Sequence, residues 1–334
     1  MRASRSLALL LNFLFLCAAA SAQNYHPLKK VPLGGSGFWD YLTVEPAKHR
    51  LFISHGTHVE VVNTESYSRI ADMPDTPGVH GIALASALGK GYISNGRENT
   101  VSVIDLSSLK LIRKIPAGQN PDAILFDPAS RHVFAFNGRS HDITVIDTSS
   151  DKVLTTIPLN GKPEFAVADD EGQVFVNIED KSAIALLDSR QPKVKSQWSL
   201  APCEEPTGLA MDREHHLLFA GCSNKLMAVM DSGTGKVVTT LPIGDGVDGT
   251  AFDPATSLAF SSNGEGTLTL VHEDSPKKFR VVQTVQTERG ARTLALDETT
   301  HHIYTVTARF APSGEQSRRP AIVPESFVLL VYGR

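Results

Sequence analysis

Residues 122–158 read DAILFDPASRHVFAFNGRSHDITVIDTSSDKVLTTIP, and this stretch decides the fold. Its four short runs alternate apolar and polar residues, and the turns between them are built on DPAS, NGRS and DTSS. That is the pattern of a four-stranded antiparallel meander. The unit recurs about every 40 to 45 residues, the spacing of propeller blades. Its first strand reappears as YLTV, GIAL, AILF, FAVA, GLAM, GTAF and TLAL, each preceded by an opening residue: Asp40, His80, Asp122, Glu164, Thr207, Asp248 and Arg292. Seven repeats predict an all-β, seven-bladed β-propeller whose four-stranded blades pack face to face.

Both termini carry a sign of ring closure. HPLKKVPL, at residues 26–33, matches the last strand of later repeats, LIRKIPA, VLTTIPL and VVTTLPI, but has no blade of its own. The seventh repeat in turn has only three strands, ARTLAL, HIYTVT and SFVLLVY. The N-terminal strand is predicted to complete that blade and so remove an open sheet edge. The turns are expected to be cut by Asn95-Gly96, Asn137-Gly138 and Asn263-Gly264, and capped by Asp105, Asp147, Asp188 and Asp231.

A chain of 334 residues is long enough for two ordinary domains, but a ring absorbs that length as one domain, residues 23–334. The net charge of −4, with both signs interspersed, favours neither nucleic acid nor an anionic membrane surface. Arg2 and Arg5, the apolar run 7–16 and Ala20-Ser21-Ala22 form the three parts of a secretory signal over residues 1–22. The mature protein is expected to be a periplasmic or secreted monomer, since no other stretch approaches the ~20 apolar residues of a membrane span. Export permits a disulfide, and Cys203 and Cys222 sit at the two ends of one hairpin. A local staple is the expected reading; free thiols or a soft-metal site are the alternatives. No CxxCH haem attachment is present.

The repeats YISNGRENTVSVIDLSSLKLIRKIP and FAFNGRSHDITVIDTSSDKVLTTIP resemble the YVTN-type repeats of the YncE-like family of exported bacterial seven-bladed β-propellers. The resemblance covers essentially the whole mature chain and departs most in the fourth blade, VNIEDKSAIALLDSRQP. It implies a periplasmic binding or scaffold protein and supplies no catalytic residues. The propeller plan itself also serves lactonase-like enzymes and electron-transfer subunits, so function has to be argued from a site.

First strands line a propeller's central channel, so the seven opening residues are expected to form one ring at one mouth. Crowded carboxylates raise one another's pKa unless a cation such as Arg292 compensates, and such groups gather at functional sites. The competing reading is that each side chain ties down backbone amides. The end of the second strand returns to the same mouth and adds His55, His58, Arg97, Arg139, His141, Glu179, Asp180, Glu265 and Arg309. The insertion 308–325, with Arg318 and Arg319, is placed above them as a lid or as a solvated loop. His55 and His58, near Asp40 and His80, are a candidate divalent-metal pair. Phe38 and Trp39 either stack on a ligand or close the gap between first and last blades. His49, His132, His215, His216, His301 and His302 fall at the opposite mouth as turn residues.

Other chemistry has little support. SNGEGT, ending at Thr267, joins two strands and opens no helix, so it makes no phosphate-binding loop. No GxSxG elbow is present. The expected function is a scaffold that holds a small polar molecule, a peptide or a protein partner at the mouth. The alternative is a lactonase or metal-assisted hydrolase in which the carboxylates and His80 hold a cation.

Overall fold

The computed structural model describes residues 24–311 and 321–334. These form seven four-stranded antiparallel sheets, each in plain up-and-down order. Blades 1 to 6 span residues 39–73, 79–116, 121–158, 163–199, 206–242 and 247–286. Blade 7 joins Ala295–Asp297, His302–Thr307 and Val328–Gly333 to the N-terminal strand His26–Pro32, which lies antiparallel to Val328–Gly333 from His26 opposite Gly333 to Pro32 opposite Val328. Tyr25 anchors that strand: its hydroxyl donates to His301 O at 2.9 Å, its ring meets Phe260 edge-on at 5.2 Å, and its main chain exchanges two hydrogen bonds with the Gln283 amide. The signal segment, residues 1–22, lies outside the described residues. No described helix is long and apolar enough to cross a membrane.

Burial follows strand position. Second and third strands are covered on both faces by neighbouring blades, so His132–Asn137 and Asp142–Asp147 are buried nearly throughout. Fourth strands form the outer rim, and Lys110–Pro116 is mostly exposed. The turn aspartates act as expected: Asp105 Oδ1 accepts from the N–H groups of Ser107 and Ser108 at 3.0 and 2.7 Å, and Asp231 Oδ1 from Gly233 and Thr234 at 3.1 and 2.7 Å. The Asn-Gly pairs act differently from the sequence expectation. Asn95, Asn137 and Asn263 are fully buried, and each amide reaches across to hydroxyls on the third strand, at 2.8 Å for Asn95 to Ser102. The asparagine ends the second strand, and only the glycine of each pair belongs to the turn.

Cys203 and Cys222 are joined in a disulfide with a Cα–Cα distance of 5.7 Å, fully buried in the core between blades 4 and 5.

One departure from ideal strand geometry recurs and positions the site. In blade 1, Trp39 pairs with His55 but Leu42 with Ile53, so the inner strand advances three residues while its partner advances two. Blades 2, 3 and 4 repeat this shift between Val79 and Ile82, Pro121 and Ile124, and Pro163 and Ala166. Blades 5 and 6 carry the same single extra residue at Thr207 and Asp248. A bulge re-aims the side chain it carries. Here it does so at the opening of six first strands, and the freed amide of Asp40 is taken up by Ser54 Oγ at 2.8 Å.

Candidate functional site

The opening residues meet at one end of the axis. His80 Nδ1 stands 2.6 Å from Asp40 Oδ2 and 3.4 Å from Asp122 Oδ1. Arg292 Nε is 2.9 Å from Asp248 Oδ2, and the same guanidinium reaches Asp40 Oδ1 at 3.9 Å and donates to Trp39 O at 3.2 Å. Lys162 Nζ sits 3.2 Å from Glu164 Oε2 and also bonds Glu179. Thr207 faces backbone only, donating to Val247 O at 2.8 Å. The His80 ring fits because residue 96 is glycine: a Cβ there would lie 2.7 Å from His80 Nε2.

Burial and mutual repulsion set the charge of this cluster. Burial, with Asp40 nearby and only partial relief from His80, pushes Asp122 up to about 6. Burial pushes Asp248 up to about 7 against the pull of Arg292, and burial followed by the Asp122 charge pushes Glu164 well above the carboxylate range. Burial alone would lower the His80 imidazole, but the Asp40 hydrogen bond and the Asp122 charge outweigh it and hold it at about 9. Lys162, desolvated but flanked by Glu164 and Glu179, is raised and stays charged.

These shifts give a pH prediction. The stabilisation from His80 is complete below its unfolded value of 6.5 and is lost as pH rises through about 9. Asp122 and Asp248 keep protons to about 6 and 7 that the unfolded chain releases near 3.8, so their ionisation also weakens the fold as pH rises. The Tm is expected to fall from about pH 4 to pH 7 as Asp122 and Asp248 ionise and on through about pH 9 as His80 loses its proton, with roughly 3 kcal/mol of the loss belonging to His80. His80→Gln should remove the alkaline part of that slope; an unchanged slope would refute the assignment.

Next to the ring of opening residues, two aromatic side chains meet across the axis. Tyr41 is 6% exposed and its ring lies 5.0 Å from that of Phe165. Blades 1 and 4 are not neighbours in a seven-membered ring, so this contact crosses the axis. Burial, then Glu164 and Asp122, hold the Tyr41 phenol well above its ordinary range.

Above it opens a cavity of about 840 Å³, with Asp40, His80, Asp248 and Arg292 in its lower wall and Arg97, Arg139 and Arg289 around its rim. The Arg97 and Arg139 side chains are exposed and have no carboxylate partner among the described residues. Arg289 lies over the Phe310 ring at 5.5 Å. Phe38, half-exposed, faces the same space, whereas Trp39 is buried against Phe310 and Phe327 and closes the gap between blades 1 and 7. Asp122 and Glu164 are buried at the edge of the cluster and do not line the cavity.

Three sequence expectations need correction or fall outside this site. His55 and His58 do not join Asp40 and His80. They face each other across one hairpin and turn toward Glu60, with His55 Nδ1 at 2.8 Å and His58 Nε2 at 3.7 Å from Glu60 Oε1. His55 is 1% exposed and its ring packs on Phe327 at 4.1 Å, so the pair points into the blade 1 to blade 7 junction. Arg69 binds the other Glu60 oxygen at 2.7 Å; burial would raise this carboxyl, but the histidine hydrogen bonds and Arg69 hold it at about 2. Arg309 is absent from the cavity wall, and its main chain pairs with Val323 and Ser326 at the base of the insertion. Arg318 and Arg319 lie outside the described residues.

Two residues went unread in the sequence. Lys162 lies just before the strand Pro163–Ala168, next to its bulge, where counting in twos gives no direction. Tyr41 follows Asp40 directly, and strict alternation would have turned it away from the axis.

No family model matches the chain, and no curated protein matches it. Among solved structures, a chain of hydrazine synthase from Kuenenia stuttgartiensis is similar over 82% of this chain and 92% of that chain, with a TM-score of 0.72 and 16% identity. At that identity the likeness is one of fold.

Proposed function

We propose that this chain is an exported binding propeller of the YVTN-type, YncE-like kind, and that it holds an anionic ligand, a small molecule or an acidic peptide, at the Arg292 end of its axis. The observation that carries this reading is the exposed Arg97, Arg139 and Arg289 around a cavity whose wall already holds charged His80 and Arg292. Guanidinium groups fork onto carboxylate and phosphate oxygens, and an unpaired set around a concavity is arranged for that geometry. Phe38 adds an exposed aromatic face at the entrance. The Cys203–Cys222 bridge supports an oxidising compartment, in keeping with the signal-like residues 1–22.

Citrate and inorganic phosphate serve as probes. Titration calorimetry at low salt is expected to show one site for citrate, weakening as salt rises. Arg97→Ala and Arg139→Ala are each expected to weaken it ~10-fold or more, since a hydrogen bond to a charged group contributes about 1.5–3 kcal/mol. Because both side chains are exposed, Tm should hold. Equal affinity in wild type and variants would sink the proposal.

A second reading rests on Asp40, His80 and Asp122, whose ligand atoms lie within 4.8 Å of one another and suit a divalent ion for hydrolysis. Lactone hydrolysis dependent on added Mn²⁺ or Zn²⁺, and lost in Asp122→Asn, would favour it over binding alone.

A further inference from the structure

The blades serve as references for one another, and two departures from their repeat meet at a single point on the face opposite the cavity. In blades 3 and 6 the hairpin between first and second strands is capped by a hydroxyl: Ser130 Oγ donates to Asp127 Oδ2 at 2.6 Å, and Thr256 Oγ1 to Asp253 Oδ2 at 2.8 Å. Blade 5 puts an imidazole in that place, with His215 Nδ1 at 2.7 Å from Asp212 Oδ2.

The second departure lies in blade 6. The residue whose N–H bonds back to the hairpin carbonyl after each third strand is uncharged in blades 1 to 5: Thr64, Leu106, Thr148, Ser189 and Ser232. In blade 6 the same bond, at 2.9 Å to Ser257 O, is made by Glu273. Its carboxylate turns inward under the blade 5 hairpin, where Oε1 meets His215 Nδ1 at 2.9 Å.

The side chains of Asp212 and Glu273 are 4% and 2% exposed. Glu273 Oε2 is buried and meets no donor. Asp212 Oδ1 accepts the Glu214 N–H at 2.9 Å, but Glu273 has only the His215 imidazole beside it; an acid so desolvated is expensive to bury, and nothing in the propeller plan requires one at position 273. The three ligand atoms lie within 4.8 Å of one another, with His215 Nδ1 at the apex between both carboxylates.

We propose that Asp212, His215 and Glu273 form a binding site for a divalent transition-metal ion of the zinc or manganese class, linking blade 5 to blade 6. Two carboxylates neutralise a divalent charge, and mixed imidazole and carboxylate ligation suits these ions better than the all-oxygen ligation of calcium. The His215 side chain is 40% exposed, so an ion has an entry path and keeps coordination positions open to water. This site is independent of the arginine-rimmed cavity, and neither proposal requires the other.

The test uses the disulfide-intact mature chain, stripped with chelator and titrated with Zn²⁺ or Mn²⁺ alone. Wild type is expected to bind one ion tightly and to melt higher with it. Glu273→Gln and His215→Ala should each weaken that binding at least ~100-fold, since even outer partners of a ligand account for ~10–100-fold. His80→Gln should leave this binding unchanged, which separates it from the Asp40, His80 and Asp122 group. His215 is at the surface, so His215→Ala decides the matter even if Glu273→Gln fails to fold. No ion bound by wild type, or binding equal in wild type and His215→Ala, overturns the proposal.

Discussion

A chain lacking residues 24–32 is expected to aggregate. The deletion removes Tyr25 and the whole of His26–Pro32, and with them six residue pairings along Val328–Gly333. Leu329 and Val331, now fully buried, would border a sheet edge with free N–H and C=O groups, the arrangement that recruits strands from other molecules. Tyr25 would also leave its place against Phe260, so blade 6 loses a neighbour as well. Size-exclusion chromatography with light scattering reads the outcome directly. A synthetic peptide NYHPLKKVP, supplied during refolding, should reverse the aggregation in part. A truncated chain with the same assembly state and Tm as the intact protein would show that closure resides elsewhere.

Tyr41→Ala is expected to destabilise the propeller by about 3–5 kcal/mol, the range for removing a large buried aromatic side chain. The side chain lies in a core that includes Ala123, Ala166 and Phe165, residues of blades 3 and 4, although it is itself borne by blade 1. Its loss removes a brace across the axis and admits water beneath Asp122, Glu164 and Asp248, whose pKa values burial raises. Denaturant melts at pH 7 measure the first effect. Phe165→Ala in the same background separates it from local damage: the double variant should lose clearly less than the sum, because both rings share one contact. A cost under about 1 kcal/mol for Tyr41→Ala would mean that the ring fills space without bracing anything.

The architecture was legible because each blade states the same alternation independently. Seven copies of one pattern, with a spare strand at one end and a missing one at the other, leave little room for another topology. The meeting of Asp40, His80, Asp122, Glu164, Asp248 and Arg292 was legible for the same reason, since equivalent positions in a ring must face one another. What escaped were local breaks in periodicity. The extra residue at residues 40–41 lets two consecutive side chains approach the axis, so Tyr41 could not be placed by counting in twos. For His55 and His58 only the third partner escaped: a two-residue turn sets them opposite each other, and Glu60, which decides their direction and brings its ligand atom within 4.8 Å of theirs, belongs to the third strand. Glu273 hid in a hairpin longer than its counterparts, formed by Thr267–Ser275 and Lys278–Gln286.

The seam in blade 7 also governs when this molecule can finish folding. His26–Pro32 is synthesised about 300 residues before Val328–Gly333, the partner it must wait for. The other six blades are closed by short-range hairpins, whereas this seam is a loop closure over about 300 residues, the kind of contact that makes folding slow. Whatever escorts the emerging chain has one strand to shelter for that entire interval.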